Sequence, residues 1–231
     1  MNRMRKSPWR IMSVMAAALL AAAVAGTTLS CKKEPFIQTV YQTPYLALPP
    51  NPEDLVSLDV RRLREKEFFK QIMVSRQNDS AYQETWRNLI QALKFDPLQE
   101  IDSLVLADRG TPKAGENPFK NTIWVALGRF DNPGEKMRGL YQWLKDQVLI
   151  TPPPFTESTY QDGGYKKFSL EARSQYNEKM VISLNFAFPS NQLMVFSFSP
   201  SLLSESLEVI AGYAEGIRKD QVWLEMLKRP N

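Results

Sequence analysis

The sequence predicts an α+β fold with a mainly antiparallel sheet and helices packed on one face of it. Three observations support this prediction. Segments with a helical apolar period are interspersed with short segments in which polar and apolar residues alternate. Two pairs of these strand-like segments flank tight-turn residues, which is typical of antiparallel hairpins. The chain contains 43% hydrophobic and 23% charged residues, a composition typical of a domain with a buried core.

The clearest predicted helix covers residues 80–94. Its apolar residues recur at intervals of three and four, which places them on one face of a helix. Ser80 begins a capping-box pattern, and Asp96 ends the helix because a residue before proline avoids helical backbone angles. The apolar face consists of Tyr82, Trp86, Leu89, Ile90 and Leu93. We therefore expect Trp86 to be buried in the core.

Further helices are predicted at residues 133–148 and 200–219. Each begins with proline, a common first residue of a helix, and each carries apolar residues along one face. A short helix of mixed charge is predicted over residues 61–73. Asp220 is predicted to cap a last short helix that ends at Lys228.

Seven segments have the composition and alternation of strands. Tight turns at residues 162–164 and 189–191 join the last four segments into two hairpins. The chain order therefore starts with the ferredoxin-like succession of strand, helix, two strands, helix and strand, to which extra hairpin strands are added. The predicted strands cover residues 56–60, 101–107, 123–130, 156–160, 165–170, 180–188 and 192–199.

The first 31 residues have the layout of an export signal. Residues 1–10 contain four basic residues and no acidic residue, and fifteen uncharged, mostly apolar residues follow, from Ile11 to Ala25. Small residues then lead to Cys31, the only cysteine of the chain. This stretch, Thr27-Thr28-Leu29-Ser30-Cys31, resembles the lipobox of bacterial lipoproteins, although Thr28 stands where that family usually has leucine.

The resemblance implies that residues 1–30 are a signal peptide and that Cys31 becomes the lipidated N-terminus. Fatty-acid chains such as palmitate would then hold the protein at a membrane. In the Gram-negative members of the family, Asp after the cysteine favours retention at the inner membrane, whereas Lys32 follows it here. The expected location is therefore the bacterial cell envelope, at the outer membrane and facing the periplasm.

Two alternatives for the first segment remain open. Residues 23–25 match an A-x-A cleavage site, which would release a soluble protein with a free thiol at Cys31. Residues 11–29 are uncharged over nearly the ~20 residues that span a bilayer, so they could also remain as a membrane helix. A lone exposed thiol is a liability in an oxidising compartment, which favours lipid attachment.

The rest of the chain divides into a tether and one domain. Residues 31–54 comprise the lipidated cysteine and a segment with five prolines, a residue that favours extended chain. Residues 55–231 are predicted to form a single α+β domain. Its first strand, Val56-Ser57-Leu58-Asp59-Val60, follows a proline-rich lead and in this resembles a group of uncharacterised secreted bacterial α+β domains.

The composition excludes several classes of function. Four of the 29 basic residues lie in residues 1–30, so residues 31–231 carry 25 basic and 25 acidic residues and lack the positive charge of a nucleic-acid-binding domain. The chain has no histidine and one cysteine, so we expect no metal and no cofactor. We also expect no catalytic residues. The alternative is an envelope hydrolase in which the fold brings together Asp59, Asp102 and Asp108.

Alternation along the predicted strands separates a bulky face from a small or polar face. We assign Val125 and Leu127 to the bulky face and Trp124 to the other, where Val105 is the one bulky exception. The second face is expected to be open, with hydroxyl, amide and aromatic groups available to a ligand; a merely solvated face is the alternative. The candidate binding residues are Trp124, Ser183, Asn185 and Ser197.

These observations together predict a lipid-anchored protein of the cell envelope that acts as a non-catalytic binding or scaffold module. Its expected contacts are the membrane, through the lipid on Cys31, and an envelope protein, a peptide or a glycan at the open face. The alternatives are a hydrolase that uses fold-assembled carboxylates and an assembly or chaperone partner of an envelope complex.

Overall fold

The computed structural model describes residues 44–77, 80–111, 117, 119–147, 155–160, 165–173 and 181–228. Within these residues, seven strands form one antiparallel sheet in the order β1-β2-β3-β7-β6-β5-β4. The strands are β1 (Asp54–Asp59), β2 (Ile101–Asp108), β3 (Thr122–Gly128), β4 (Thr156–Tyr160), β5 (Tyr165–Arg173), β6 (Val181–Ser190) and β7 (Leu193–Ser197).

Seven helices accompany the sheet in the described part of the chain. They are α1 (Val60–Glu65), α2 (Glu67–Gln77), α3 (Ser80–Leu93), α4 (Pro97–Glu100), α5 (Pro133–Gln147), α6 (Pro200–Ala211) and α7 (Gln221–Lys228). Short 3-10 helices cover Pro44–Ala47 and Gly216–Lys219. None of the helices in the described ranges has the length and hydrophobicity that crossing a bilayer requires.

The predicted α+β fold with an antiparallel sheet is confirmed. The helices predicted to start at residues 80, 133 and 200 begin at those positions, and the chain order of strands and helices is the expected one. Strands that follow each other in the chain also pair with each other, β1 with β2 and β2 with β3. The last strand, β7, fills the centre of the sheet between β3 and β6.

One face of the sheet forms a first hydrophobic core with α1, α3 and α5. Leu104 of β2 and Ala126 of β3 pair with each other and point into this core. Leu89 and Leu93 of α3 and Leu140 of α5 cover them, and all of these side chains are buried. The apolar face predicted for residues 80–94 thus packs against the sheet through two of its members.

The opposite face of the sheet forms a second core with α6. Val105, Val125 and Val195 pair in one row across β2, β3 and β7, and each is 0% exposed. Leu203 and Leu207 of α6 cover this face and are also fully buried. The centre of the sheet is therefore enclosed from both sides.

The prediction that all helices pack on one face of the sheet is wrong, because α6 lies opposite α3 and α5. The central strands carry bulky apolar residues at consecutive positions, such as Leu104 and Val105. Successive side chains of a strand point to opposite faces, so such a strand needs a cover on each face.

The described part of the predicted tether belongs to the domain. Leu46, Ala47 and Leu48 are buried, and Ala47 and Leu48 belong to the second core. The Ser206 hydroxyl donates a hydrogen bond to the carbonyl of Ala47 at 2.5 Å, and the Ile217 amide donates to the carbonyl of Leu48 at 3.1 Å. Residues 44–48, on the N-terminal side of the predicted boundary at residue 55, are thus attached to the fold by these contacts.

The helix predicted over residues 200–219 ends early, at Ala211. Gly212 adopts φ 84, in the left-handed region that glycine accepts without strain, and its amide caps the last carbonyls of α6. The predicted cap at Asp220 is confirmed. Its carboxylate accepts hydrogen bonds from the amides of Val222 and Trp223 at 3.0 and 3.2 Å.

Helices α3 and α5 approach each other closely at Gly139. A Cβ added there would lie 1.7 Å from the carbonyl oxygen of Ala92 in α3. The helices are antiparallel, since the start of α5 meets the end of α3. There the ammonium group of Lys136 donates to the carbonyl of Lys94 at 3.0 Å, and Lys94 forms an ion pair with Glu135.

Candidate functional site

Cys31, the predicted lipidation site, lies outside the described residues. The other four predicted site residues are described, and they do not form one surface. Asn185 pairs with Ser197, which pairs in turn with Ile123. Ile123 and Trp124 are consecutive and therefore point to opposite faces of the sheet. The prediction that Trp124 shares a face with Ser183 and Asn185 is wrong.

The error concerns β3. Its bulky residues were assigned to the face of Leu104, but they lie on the opposite face. Val105 pairs with Val125, and Leu106 pairs with Trp124. The bulky residues of β3 thus continue the face of Val105, which the sequence pattern treated as an exception. Alternation within a strand shows which residues share a face, but the register with the next strand decides which faces join.

Asn185 and Ser197 form a buried hydrogen-bond network in the second core, where they are 1% and 0% exposed. The Asn185 side chain accepts from the Ser169 hydroxyl at 2.9 Å and donates to the Ser183 hydroxyl at 3.0 Å. It also donates to the carbonyl of Ser197, whose hydroxyl donates to the carbonyl of Thr122 at 2.9 Å. These bonds hold four strands in register, because buried polar groups need such partners.

Trp124 lies in an apolar row that crosses the first-core face of the sheet. Its ring meets that of Phe196 edge-on at 5.6 Å, and Phe196 stacks on Phe186 at 4.7 Å. Leu106 continues the row on the other side of Trp124. The indole N–H is buried and has no hydrogen-bond partner within the described residues. Trp124 therefore serves packing between strands, away from the hydroxyl and amide groups expected beside it.

The three carboxylates of the hydrolase alternative do not converge. Asp59 caps α1, and Asp102 forms an ion pair with Arg64 at 3.2 Å. Asp108 lies at the other end of β2 and accepts a hydrogen bond from the Thr122 hydroxyl at 2.8 Å. Across the described ranges, no three His, Cys, Asp or Glu residues are grouped so that they could hold a metal ion.

A groove of about 770 Å³ runs between α2 and α3. Residues of α1 and α4 and the turn before α4 complete its lining. The lining residues are Arg64, Phe69, Lys70, Met73, Val74, Tyr82, Gln83, Trp86, Arg87, Ile90, Gln91, Asp96, Leu98 and Gln99.

The floor of this groove is apolar. Phe69 and Met73 line it from α2, and Trp86 and Ile90 line it from α3. Phe69 is buried, and Met73 and Trp86 pack against the first core. Trp86 stacks on Tyr82 with a centroid distance of 6.2 Å and an angle of 4°. Trp86 was expected within the core, but it is only partly buried and lines the floor of the groove.

Helix α2 exposes further apolar side chains beside the groove. Val74, on the rim, is 56% exposed, and Phe68 and Ile72 are 36% and 37% exposed. Exposed apolar residues are ordinary when they are scattered singly, whereas several on one short helix are typical of a contact surface.

The rim of the groove is mainly cationic. Lys70 of α2 and Arg87 of α3 are exposed, and the one ion pair of Lys70 among the described residues is a long contact of 3.7 Å with Glu67. An exposed pair of this kind contributes at most ~1 kcal/mol, so Lys70 is available to another anion. Arg64 is more firmly held, since it donates to the carbonyl of Leu98 at 2.8 Å and contacts Asp102.

Asp96 is the only carboxylate among the described lining residues. It caps α4, where its side chain accepts a hydrogen bond from the Leu98 amide at 3.0 Å. Burial raises the pKa of the Asp96 carboxyl, and the hydrogen bond from Leu98 opposes this only in part. The groove therefore combines an apolar floor with a mainly cationic rim, and its one described carboxylate caps α4.

The sequence contains a signal for this groove that the prediction did not use. Tyr82, Trp86 and Ile90 recur every four residues and lie beside the stripe of Leu89 and Leu93. Five large apolar residues make a band wider than one contact with a sheet requires. Such a width indicates that a helix contacts a second apolar surface as well.

No protein-family model, curated protein or solved structure matches the chain. The features that bear on function are therefore the sequence of the first 31 residues and the geometry and charge of the groove.

Proposed function

We propose that the chain is a lipid-anchored protein of the bacterial cell envelope whose domain acts as a non-catalytic binding or scaffold module. Cys31 carries the lipid, and the domain faces the periplasm at the outer membrane. The observation that carries the proposal is the position of the only cysteine, directly after a basic start, an uncharged apolar run and small residues.

The groove between α2 and α3 supports the binding part of the proposal. It places an apolar floor beneath the exposed cations Lys70 and Arg87. Its only described carboxylate, Asp96, serves as a helix cap. These residues can hold a partner through apolar contact and charge, and they do not present the pair of acid and base that general acid–base chemistry uses.

The end of the tether that meets the domain has a defined position. Residues 44–48 are fixed on the second core, while the groove lies on the side of the first core. The tether therefore joins the domain on the face of the sheet opposite the groove. This arrangement suits a module that is held at a membrane while its groove stays open to partners.

Metabolic labelling with a radioactive fatty acid tests the proposal. The wild-type precursor should be labelled and sediment with membranes, whereas Cys31→Ala should be unlabelled, because the thiol is the only acceptor of this type in the chain. Ser30→Ala keeps a small residue before the cysteine and is the matched control, with labelling retained. Equal labelling of wild type and Cys31→Ala would refute the anchor.

A further inference from the structure

We propose that the groove between α2 and α3 receives an amphipathic helix of a partner protein, whose apolar stripe packs on the floor and whose flanks carry acidic residues. This inference rests on the proposed binding function and names the partner's chemistry. It follows from the spacing of the apolar residues, the state of the backbone around the groove and the charge of the rim.

The spacing of the floor residues fits a helix. Phe69 and Met73 form one row on α2, and Tyr82, Trp86 and Ile90 form a facing row on α3. The second row spans eight positions, which is about 12 Å, or slightly more than two turns. A helix lying between two such rows presents residues at i, i+4 and i+7 to both, which is the usual pattern of helix-in-groove recognition.

The backbone around the groove favours a helix over an extended peptide. Both walls are helices, whose interior N–H and C=O groups are already hydrogen-bonded within the helix. An extended peptide would find no strand edge here to pair with, and its own backbone groups would lose water without replacement. A helix satisfies these groups internally and can bury its side chains alone.

The rim determines the charge of the partner. Lys70 lies on the α2 side and Arg87 on the α3 side, and both are exposed. Arg64 adds a third positive charge, partly neutralised by Asp102. Asp or Glu residues on the two flanks of a bound helix would meet Lys70 and Arg87, which speeds association and fixes orientation.

An acyl chain fits this groove less well than a helix. Sites for small apolar ligands enclose most of the ligand surface. Here the rim residues Val74, Arg87 and Gln91 are exposed, so the groove is open above its floor. A lipid tail would keep much of its surface in water, whereas a helix would direct its polar face there.

Site-specific photo-crosslinking in living cells tests the inference with the full-length, anchored protein. A photoreactive phenylalanine derivative replaces Val74 on the groove rim or, as the control, Val222 on α7, which is 67% exposed. Mass spectrometry then identifies the segment joined to each position. We expect an adduct at Val74 and not at Val222, joined to a partner segment with apolar residues at helical spacing between Asp or Glu residues.

Charge reversal provides the second measurement. Lys70→Glu together with Arg87→Glu should lower the yield of the Val74 adduct at least about fivefold, because two attractions become repulsions. The matched control, Lys145→Glu, reverses an exposed charge on α5 outside the groove and should leave the yield unchanged.

The outcomes separate the inference from the proposed function. A Val74 adduct with a phospholipid, with an extended proline-rich segment, with a second copy of this chain or with its own tether overturns the helix inference and leaves a binding module standing. An adduct that is insensitive to charge reversal overturns the acidic partner. If no adduct is specific to the groove, both the helix inference and the binding part of the proposed function are overturned.

Discussion

Gly139→Ala tests the packing of α3 against α5, on which the first core depends. Alanine is normally the better helix former, so the substitution would stabilise an isolated helix by about 1 kcal/mol. In the folded protein, however, the new Cβ would lie 1.7 Å from the carbonyl oxygen of Ala92 and 2.7 Å from its carbonyl carbon. Both are backbone atoms, so no side-chain rotation can relieve the contact.

The size of the effect follows from this contact. The helices must separate by roughly 1.5 Å to restore a normal carbon–oxygen distance, and a gap of that order removes much of the dispersion attraction across the interface. Leu89 and Leu140 pack in the same core, and the Lys136 hydrogen bond to Lys94 spans the same two helices. Overpacking of this kind typically costs about 1–3 kcal/mol, which outweighs the gain in helix preference.

Urea denaturation followed by tryptophan fluorescence measures the free energy of unfolding. Gly134→Ala is the matched control, because the same substitution in α5 would place its Cβ at an ordinary contact distance, 3.6 Å from the guanidinium group of Arg138. We expect Gly139→Ala to lose about 1–3 kcal/mol, and Gly134→Ala to be neutral or slightly stabilising. A Gly139→Ala protein as stable as the wild type would refute the close approach of the helices.

Three further predictions concern the interior and the groove. Asn185→Ala should lower the free energy of unfolding by about 1–3 kcal/mol, because it leaves buried partners unpaired; a thermal midpoint equal to that of wild type would contradict the network. Ser206→Ala removes the hydrogen bond to Ala47 and should speed hydrogen exchange at residues 44–48, whereas unchanged exchange would show that the bond does not hold this segment. Burial raises the pKa of Asp96, so the folded state binds this proton more tightly than the unfolded state, and stability contributed by the group falls as the pH rises from below 3.8 through the folded pKa. Asp96→Asn retains an oxygen acceptor for the cap and should remove the pH dependence of stability that Asp96 causes. A pH profile of stability identical to that of wild type would contradict the raised pKa of Asp96.

The helices and strands could be predicted well because local signals define them. Ser80, Pro133 and Pro200 mark the starts of three helices in the sequence, and α3, α5 and α6 begin at these residues. The C-terminal end of α6 was missed. Gly212 at its end has a helix-terminating conformation, but apolar residues continue to Ile217 and masked the break.

The arrangement of the faces could not be predicted from alternation alone. The sequence shows that Trp124 and Val125 point in opposite directions, but not which of them continues the face of Leu104. That choice depends on the register between β2 and β3, where Leu104 pairs with Ala126. Val105, the one bulky residue on the face assumed to be small and polar, indicated that β3 joins β2 with its bulky residues on the face of Val105.

The wide apolar band of α3 indicates a second contact, but the shape of the groove could not be predicted, because four helices form it together. Met73 and Trp86 lie on different helices, and each alone is typical of a core residue. Only the packing of α2 beside α3 shows that these side chains line a groove between exposed cations.

The mass of the N-terminal peptide of the mature protein shows whether Cys31 carries a lipid. The protein is isolated from membranes of cells that express the full precursor and is digested with trypsin, and the peptide that contains Cys31 is identified by mass spectrometry. We expect a chain that begins at Cys31 and carries a diacylglyceryl group on Sγ. A chain that begins at Gly26 with an unmodified thiol, or one that retains residues 1–30, would contradict it.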